Sequence, residues 1–366
     1  MMNITEILLH AICRGIWGVQ EKTLPEDFVP KKILVIRPHN QLGDMIAGTV
    51  LFRAMKESWP DSDIYLIASP QNISGAEHNP FLAAIFNFDK KKLFDAEFLR
   101  DLYRFLKRDY DLVLTPVVVS ISFTSNLLAG IANGRFKTGP KSLDGMENDS
   151  AYFFHERVVL DFRADENLHV WDRMMRNLGS VKVQHGELKP DINYTEEESA
   201  NALEALKSAG WREGQIVLGI HPGAGKPPNI WPAENFAEVI NRLTELAGQH
   251  PERKEIFIVA TGSKQEQGII DEINSRIQGE VFFFTNRTIA EVAALMQYTD
   301  LFIANDTGIM HVAGAESVPQ ISLFGMTNPH QWAPRGENKY WLRESDNIRD
   351  ILPEQVISLA RQILQL

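Results

Sequence analysis

Two aspartates follow apolar runs that end in glycine-containing loops, and each stands where a carboxylate could do chemistry. Asp44 lies in "RPHNQLGD" after "KKILVI", and Asp306 lies in "NDTGIMH" after "DLFIA". A carboxylate just before a helix commonly caps it. One that faces a ligand can instead act as a general base. In the second loop, Thr307 can cap a helix or touch a phosphate, and Gly308 permits close main-chain approach. A helix starting at about residue 309 would add unpaired amides and a positive dipole end, which together attract anions. Asp306 would sit badly against a phosphate but well against sugar hydroxyls or an amine. His311, in the first turn, can face the same ligand or pack as a core residue.

Two other strand ends carry similar chemistry. "HPGAGKPPNIWP" follows "QIVLGI". Its Gly223 and Gly225 would admit a diphosphate, which Lys226 could neutralise; an ordinary Gly/Pro turn is the other reading. "TGSKQEQG" follows "IFIVA" and brings Thr261 and Gly262 to a strand end. Neither loop has the GxGxxG spacing, and no Walker A pattern occurs, which argues against a dinucleotide oxidoreductase and a P-loop enzyme. The "DSD" at 61–63 has the form associated with metal-bound sugar nucleotides, but it follows Pro60 in a turn and reads as turn chemistry. Without HExxH or a His/Cys cluster, no structural metal is expected. Lys90, Lys91 and Lys92 read as a solvated turn.

The elements that must hold these loops repeat. "KKILVIRPHNQLGDMIAGTVLFRAMKESWPDSDIYLIAS" reads strand, loop, helix (45 to 58), strand. "QIVLGIHPGAGKPPNIWPAENFAEVINRLTELAGQHPERKEIFIVATGS" has the same order. Each is a β-α-β unit with parallel strands. Two such starts far apart in the chain predict an α/β protein of two Rossmann-like domains. The first spans 1–185, with an amphipathic extension at 1–30; the second spans 186–350, and a helix fills 351–366. In the extension, Ile4, Leu8, Ile12 and Ile16 share a helical face that either packs on the first domain or rests on a membrane surface. "TEEES" opens a helix with a capping box from Thr195 to Glu198. Ligands of such sheets bind beyond the carboxyl ends of the strands, where all four loops lie.

Bulk properties narrow the function further. The net charge of -11 argues against nucleic acid as a partner. Residues 1–185 are nearly balanced, with 22 basic and 23 acidic side chains, whereas the remainder holds 15 and 25. The first half is therefore the better place for an anionic or membrane-associated partner. The single cysteine, Cys13, lies in a peripheral helical pattern and suits a reducing cytoplasm. No apolar run approaches the roughly 20 residues of a spanning helix, and no secretory signal is evident.

Taken together, these strand ends resemble glycosyltransferase family 9, the ADP-heptose:lipopolysaccharide heptosyltransferases. The resemblance covers about 31 to 345. "LFIANDTGIMHVAGAESVPQISLFGMTNP" is similar to the family's (S/N)D(S/T)GxxHxAxAxxxPxxxLFGxTxP signature, and "ILVIRPHNQLGDMIAGTV", "IHPGAG...WPAENFAEVI" and "LHVWDRMMRNLG" resemble other family blocks. The resemblance implies a GT-B fold with a central cleft, the acceptor on the first domain, the donor on the second, and a last helix that can cross back to the first. It implies inverting transfer without a bound metal or other cofactor, from ADP-heptose to the lipid-linked lipopolysaccharide core. The expected location is the cytoplasm, with peripheral contact at the inner face of the membrane. Asp44 matches the proposed general base, Asp306 the donor-sugar aspartate, Thr307 and Gly308 the diphosphate positions, and His311 the signature histidine. The family commonly has lysine two residues before its Trp-Pro pair; here that position is Asn229. The long extension before Lys31 also departs from the family. Another nucleotide sugar, or donor binding without catalysis, are the competing readings.

Overall fold

The computed structural model describes residues 4–252 and 254–366. Its contacts divide the chain into two units, Met1–Asp191 and Ile192–Leu366, a few residues beyond the expected boundary.

The first unit runs α1 (Ile4–Trp17), β1 (Lys32–Arg37), α2 (Leu42–Gly48), α3 (Val50–Ser58), β2 (Asp63–Ala68), β3 (Leu82–Asn87), α4 (Ala96–Leu106), β4 (Tyr110–Leu114), α5 (Phe123–Ile131), β5 (Gly134–Leu143), β6 (Met146–Glu147), β7 (Glu156–Leu160) and α6 (Val170–Arg176). Its sheet has the order β3-β2-β1-β4-β5-β6, with β7 parallel to β5. The short β6 is antiparallel to β5. Val35 of β1 lies between Leu66 of β2 and Leu114 of β4, all three fully buried. Helices on both faces of such a sheet explain why β1 is apolar without alternation.

The second unit runs α7 (Glu196–Ser208), β8 (Ile216–His221), α8 (Ala233–Gln249), β9 (Ile256–Gly262), α9 (Gln267–Asn274), β10 (Phe282–Thr285), α10 (Ile289–Leu295), β11 (Leu301–Asn305), α11 (Gly308–Ala315), β12 (Gln320–Leu323), α12 (Pro329–Trp332), β13 (Lys339–Leu342) and α13 (Pro353–Leu364). Its parallel sheet has the order β10-β9-β8-β11-β12-β13. In each unit the chain leaves the first strand toward one edge and later returns to its other side. The crossovers therefore diverge between β1 and β4 and between β8 and β11, and these are the switch points where such sheets bind ligands.

Three details depart from the sequence expectation. The helix expected over 45 to 58 is two helices, α2 and α3, which meet at Thr49. The Thr49 hydroxyl donates to the Ile46 carbonyl at 2.7 Å and accepts from the Asp191 amide at 2.7 Å. Arg53 of α3 pairs with the Asp191 carboxylate, with Nε 3.1 Å from Oδ2. Second, α1 turns Cys13 and Trp17 inward onto Tyr152 and Phe153, while Ile4, Leu8, Ile12 and Ile16 face outward, each more than half exposed. Third, the last helix does not fit the expected crossing. Val356, Ala360 and Leu364 of α13 join the second unit's core beside Phe236, Ile240 and Leu243 of α8.

Candidate active site

In the first unit the candidate residues gather at the switch point between β1 and β4. Asp44 was expected just before a helix; it lies instead in the first turn of α2, whose N-cap is Gln41, and its side chain caps nothing. The residue is 8% exposed. Burial pushes the Asp44 carboxyl above its ordinary range, and the Arg37 guanidinium works against that shift. Arg37 ends β1 fully inside the unit. Its Nη2 donates to the Asp44 main-chain oxygen at 3.0 Å, and its Nη1 lies 2.9 Å from the Met174 sulfur. Burial disfavours the arginine's charge and the nearby Asp44 favours it. Gly48 makes room for this packing, because a Cβ there would stand 3.3 Å from the guanidinium carbon. His39, Gln41 and residues 116–120, beyond β4, complete a small recess around Asp44. Burial, with the charges of Arg37 and Lys90, holds the His39 imidazole down to about 4, so it is neutral at pH 7. Its Nδ1 is buried without a hydrogen-bond partner.

The second unit gathers its residues beyond β8, β9, β11 and β12. Thr307 is the N-cap of α11: its hydroxyl oxygen accepts from the Ile309 and Met310 amides at 3.1 and 3.4 Å. Gly308 opens the helix, so its amide belongs to the positive end of the dipole. Asp306 follows β11 and is half-buried. Its Oδ2 accepts from Thr327 Oγ1 at 2.6 Å and Asn229 Nδ2 at 3.0 Å. Burial raises its pKa, while the Thr327 bond and the charge of Lys226 oppose the rise. Lys226 and Gly225 are exposed in the loop after β8, and a Cβ at Gly225 would meet open space. Gly223 is buried beside Glu266. His311 is buried, with its ring edge-on to that of Trp332 and the centroids 6.1 Å apart.

Thr261 turns into the second unit. It is fully buried, and its hydroxyl lies 3.1 Å from His221 Nδ1, which donates to the Thr261 main-chain oxygen at 2.9 Å. Its side chain therefore supports the end of β8 and offers nothing outward. Gly262, next in the chain, is half-exposed at the end of β9. Among the described residues, no group of three or more His, Cys, Asp or Glu is arranged to hold a metal ion.

The family model for "Glycosyltransferase family 9 (heptosyltransferase)" matches residues 99–351. The chain belongs to glycosyltransferase family 9. It is 24% identical over 316 residues to lipopolysaccharide heptosyltransferase 3 of Escherichia coli, covering 82% of this chain and 86% of that relative. It is 24% identical over 375 residues to lipooligosaccharide heptosyltransferase 2 of Haemophilus ducreyi, covering 91% and 99%. In fold it is similar to a family 9 glycosyltransferase from Veillonella parvula (TM-score 0.76, 22% identity, 92% and 97% covered). It is also similar to the E. coli ADP-heptose lps heptosyltransferase II (TM-score 0.71, 20% identity, 91% and 98% covered). The fold is GT-B and the family-9 chain is a glycosyltransferase.

Two residues of this family-9 site escape a reading of motifs. Arg37 and His221 occupy the same place in the two units, the last position of the first strand, and both are buried. The signal that could have found them is a polar residue closing an apolar strand directly before proline, "VIRP" and "GIHP".

Proposed function

We propose that the chain transfers heptose from ADP-heptose to a hydroxyl of a lipopolysaccharide inner-core acceptor in one inverting displacement, with Asp44 as general base. The observation that carries this reading is the buried Asp44 carboxylate at the first switch point, held beside the buried Arg37. A carboxylate out of water is a stronger base than one in solution, and the arginine keeps a useful fraction of it ionised. As the acceptor oxygen bonds to the anomeric carbon, its proton passes to Asp44. The bond from that carbon to the diphosphate oxygen breaks, and the electron pair leaves on ADP. The α11 amides at Gly308 and the ammonium of Lys226 are the groups that would hold the charge of the leaving diphosphate. Asp306 would receive sugar hydroxyls.

Relatives carrying heptosyltransferase names support the donor and the acceptor class. A solved neighbour described as E. coli heptosyltransferase WaaC with ADP-2-deoxy-2-fluoro heptose supports the adenosine diphosphate sugar. A lipid-linked acceptor would place the enzyme in the cytoplasm at the inner face of the membrane, with the outward stripe of α1 as its contact. Among the described residues no helix is long and apolar enough to cross a membrane.

The deciding experiment is Asp44→Asn with ADP-heptose and a core acceptor. Transfer should vanish while donor affinity stays near wild type. Near wild-type turnover would remove Asp44 from the role of base, and donor binding without turnover in the unaltered chain would favour a non-catalytic protein. Asn229 in place of the family's usual lysine favours one alternative, a transferase using another nucleotide sugar. Thermal stabilisation by ADP-sugars, but not by UDP- or GDP-sugars, separates the two.

A further inference from the structure

Asp306 has an arrangement that its motif does not explain. Both of its side-chain hydrogen bonds, from Asn229 and Thr327, go to the same oxygen, Oδ2. Both donors are neutral. Among the described residues, Oδ1 accepts no hydrogen bond. The carboxylate is thus fixed in direction by one oxygen while the other keeps its full acceptor capacity.

The two donors are themselves anchored. Asn229 closes a single 3-10 turn, Pro227–Asn229, whose two prolines limit its freedom. Two residues on, Trp231 is fully buried; its amide donates to Asn305 Oδ1 at 3.3 Å and its indole N–H to the Ile351 carbonyl at 3.0 Å. Asn305 donates in turn to the Pro222 carbonyl at 2.8 Å, tying the β8 loop to the end of β11. Thr327 lies on the loop after β12. That loop is pinned at Gly325, whose carbonyl accepts from Arg343 Nε at 2.7 Å and where a Cβ would meet the Ile348 amide nitrogen at 2.9 Å. The Asp306 amide donates to the Leu323 carbonyl. Three loops, after β8, β11 and β12, therefore converge on one carboxylate oxygen.

We propose that Asn229 and Thr327 are positioning residues that aim Asp306 Oδ1 at the hydroxyls of the donor's sugar. A cation at position 229 would be drawn to the carboxylate or to a diphosphate. Asparagine can do neither by charge, and it commits the position to orienting Asp306. The charge for the diphosphate then falls to Lys226 and the α11 amides. Asn229 thereby serves recognition of the sugar and not of the nucleotide. This rests on the donor-site reading above.

The test is calorimetric titration of the full chain with ADP-heptose and, separately, with ADP. In Asn229→Ala and Thr327→Val, affinity for ADP-heptose should fall about tenfold, the size of one lost hydrogen bond to a charged group. Affinity for ADP should stay within about twofold, and Thr327→Ser should restore ADP-heptose binding. Equal losses for both ligands, or no loss for either, would overturn the positioning role. A wild-type chain that binds ADP-heptose no better than ADP would also overturn it while leaving the nucleotide site intact. A wild-type chain that binds neither would remove the donor-site reading, and this inference with it.

Discussion

Arg37 donates from Nη2 to the main-chain oxygen of Asp44, 3.0 Å away, so the charge that tempers the buried carboxylate also fixes the first turn of the helix that carries it. A second charge bears on the recess: Lys90, together with Arg37, acts on His39.

Replacing Arg37 should change the pH dependence of transfer. Only ionised Asp44 can take a proton, so activity is lost as pH falls through its pKa. Burial raises that pKa and Arg37 lowers it. In Arg37→Leu the acid limb of the kcat profile should therefore move to higher pH, and Arg37→Lys should move it less. An unshifted limb would show that the arginine does not tune the base.

Thr307 serves as a helix cap whatever else it contacts, because its hydroxyl takes both the Ile309 and Met310 amides. Thr307→Ala should cost about 1 kcal/mol, or about 3 °C in Tm, and Thr307→Ser should retain most of it. Thermal scans without ligand measure this separately from any effect on donor affinity.

Acid should loosen the second unit through His221. Burial holds its imidazole down to about 4, against 6.5 for the free side chain. The unfolded chain binds the proton first, so this contribution to stability is whole above pH 6.5 and is lost as pH falls toward 4. Between pH 7 and pH 5 the loss is about 2 kcal/mol. His221→Gln should show a correspondingly smaller drop in denaturation midpoint between those two pH values. An equal drop would assign the acid sensitivity elsewhere, and His39 and His155, also held down to about 4, are the next to test.

The outward stripe of α1 gives a prediction independent of catalysis. Leu8 and Ile12 are 57% and 56% exposed, so Leu8→Glu with Ile12→Glu should leave Tm nearly unchanged. The wild-type chain should sediment with anionic phospholipid vesicles, and the double variant should remain in the supernatant. Equal recovery of both would exclude this face as the contact.

Much of this architecture is legible in the sequence because the central strands are buried on both faces. "KILVIR" and "IVLGIH" read as strands from apolar content alone, and the glycine loops after them mark the ligand edge. Other strands are harder to see. β5, "GRFKTGPKSL", contains glycines, lysines and a proline, and β13, "KYWL", is only partly buried, so neither stands out against its neighbours. The division at Thr49 escapes periodicity because apolar residues continue through it, and the threonine there is bonded to Asp191, far along the chain. Within the site, the loops were identifiable, but the direction of each side chain was not. Thr261 turns inward because His221 lies beside it, a pairing across two strands. Asn229 meets Asp306 only because the β8 and β11 loops are neighbours in the sheet.

The bonds at Thr49 and Arg53 fasten Asp191, the last residue of the first unit, to the α2–α3 pair. The peptide that leaves this unit is therefore moored at the junction of α2, which carries Asp44, with α3. Thr49 joins the two, its hydroxyl bonded to Ile46 of the helix that carries Asp44 on one side and to Asp191 on the other.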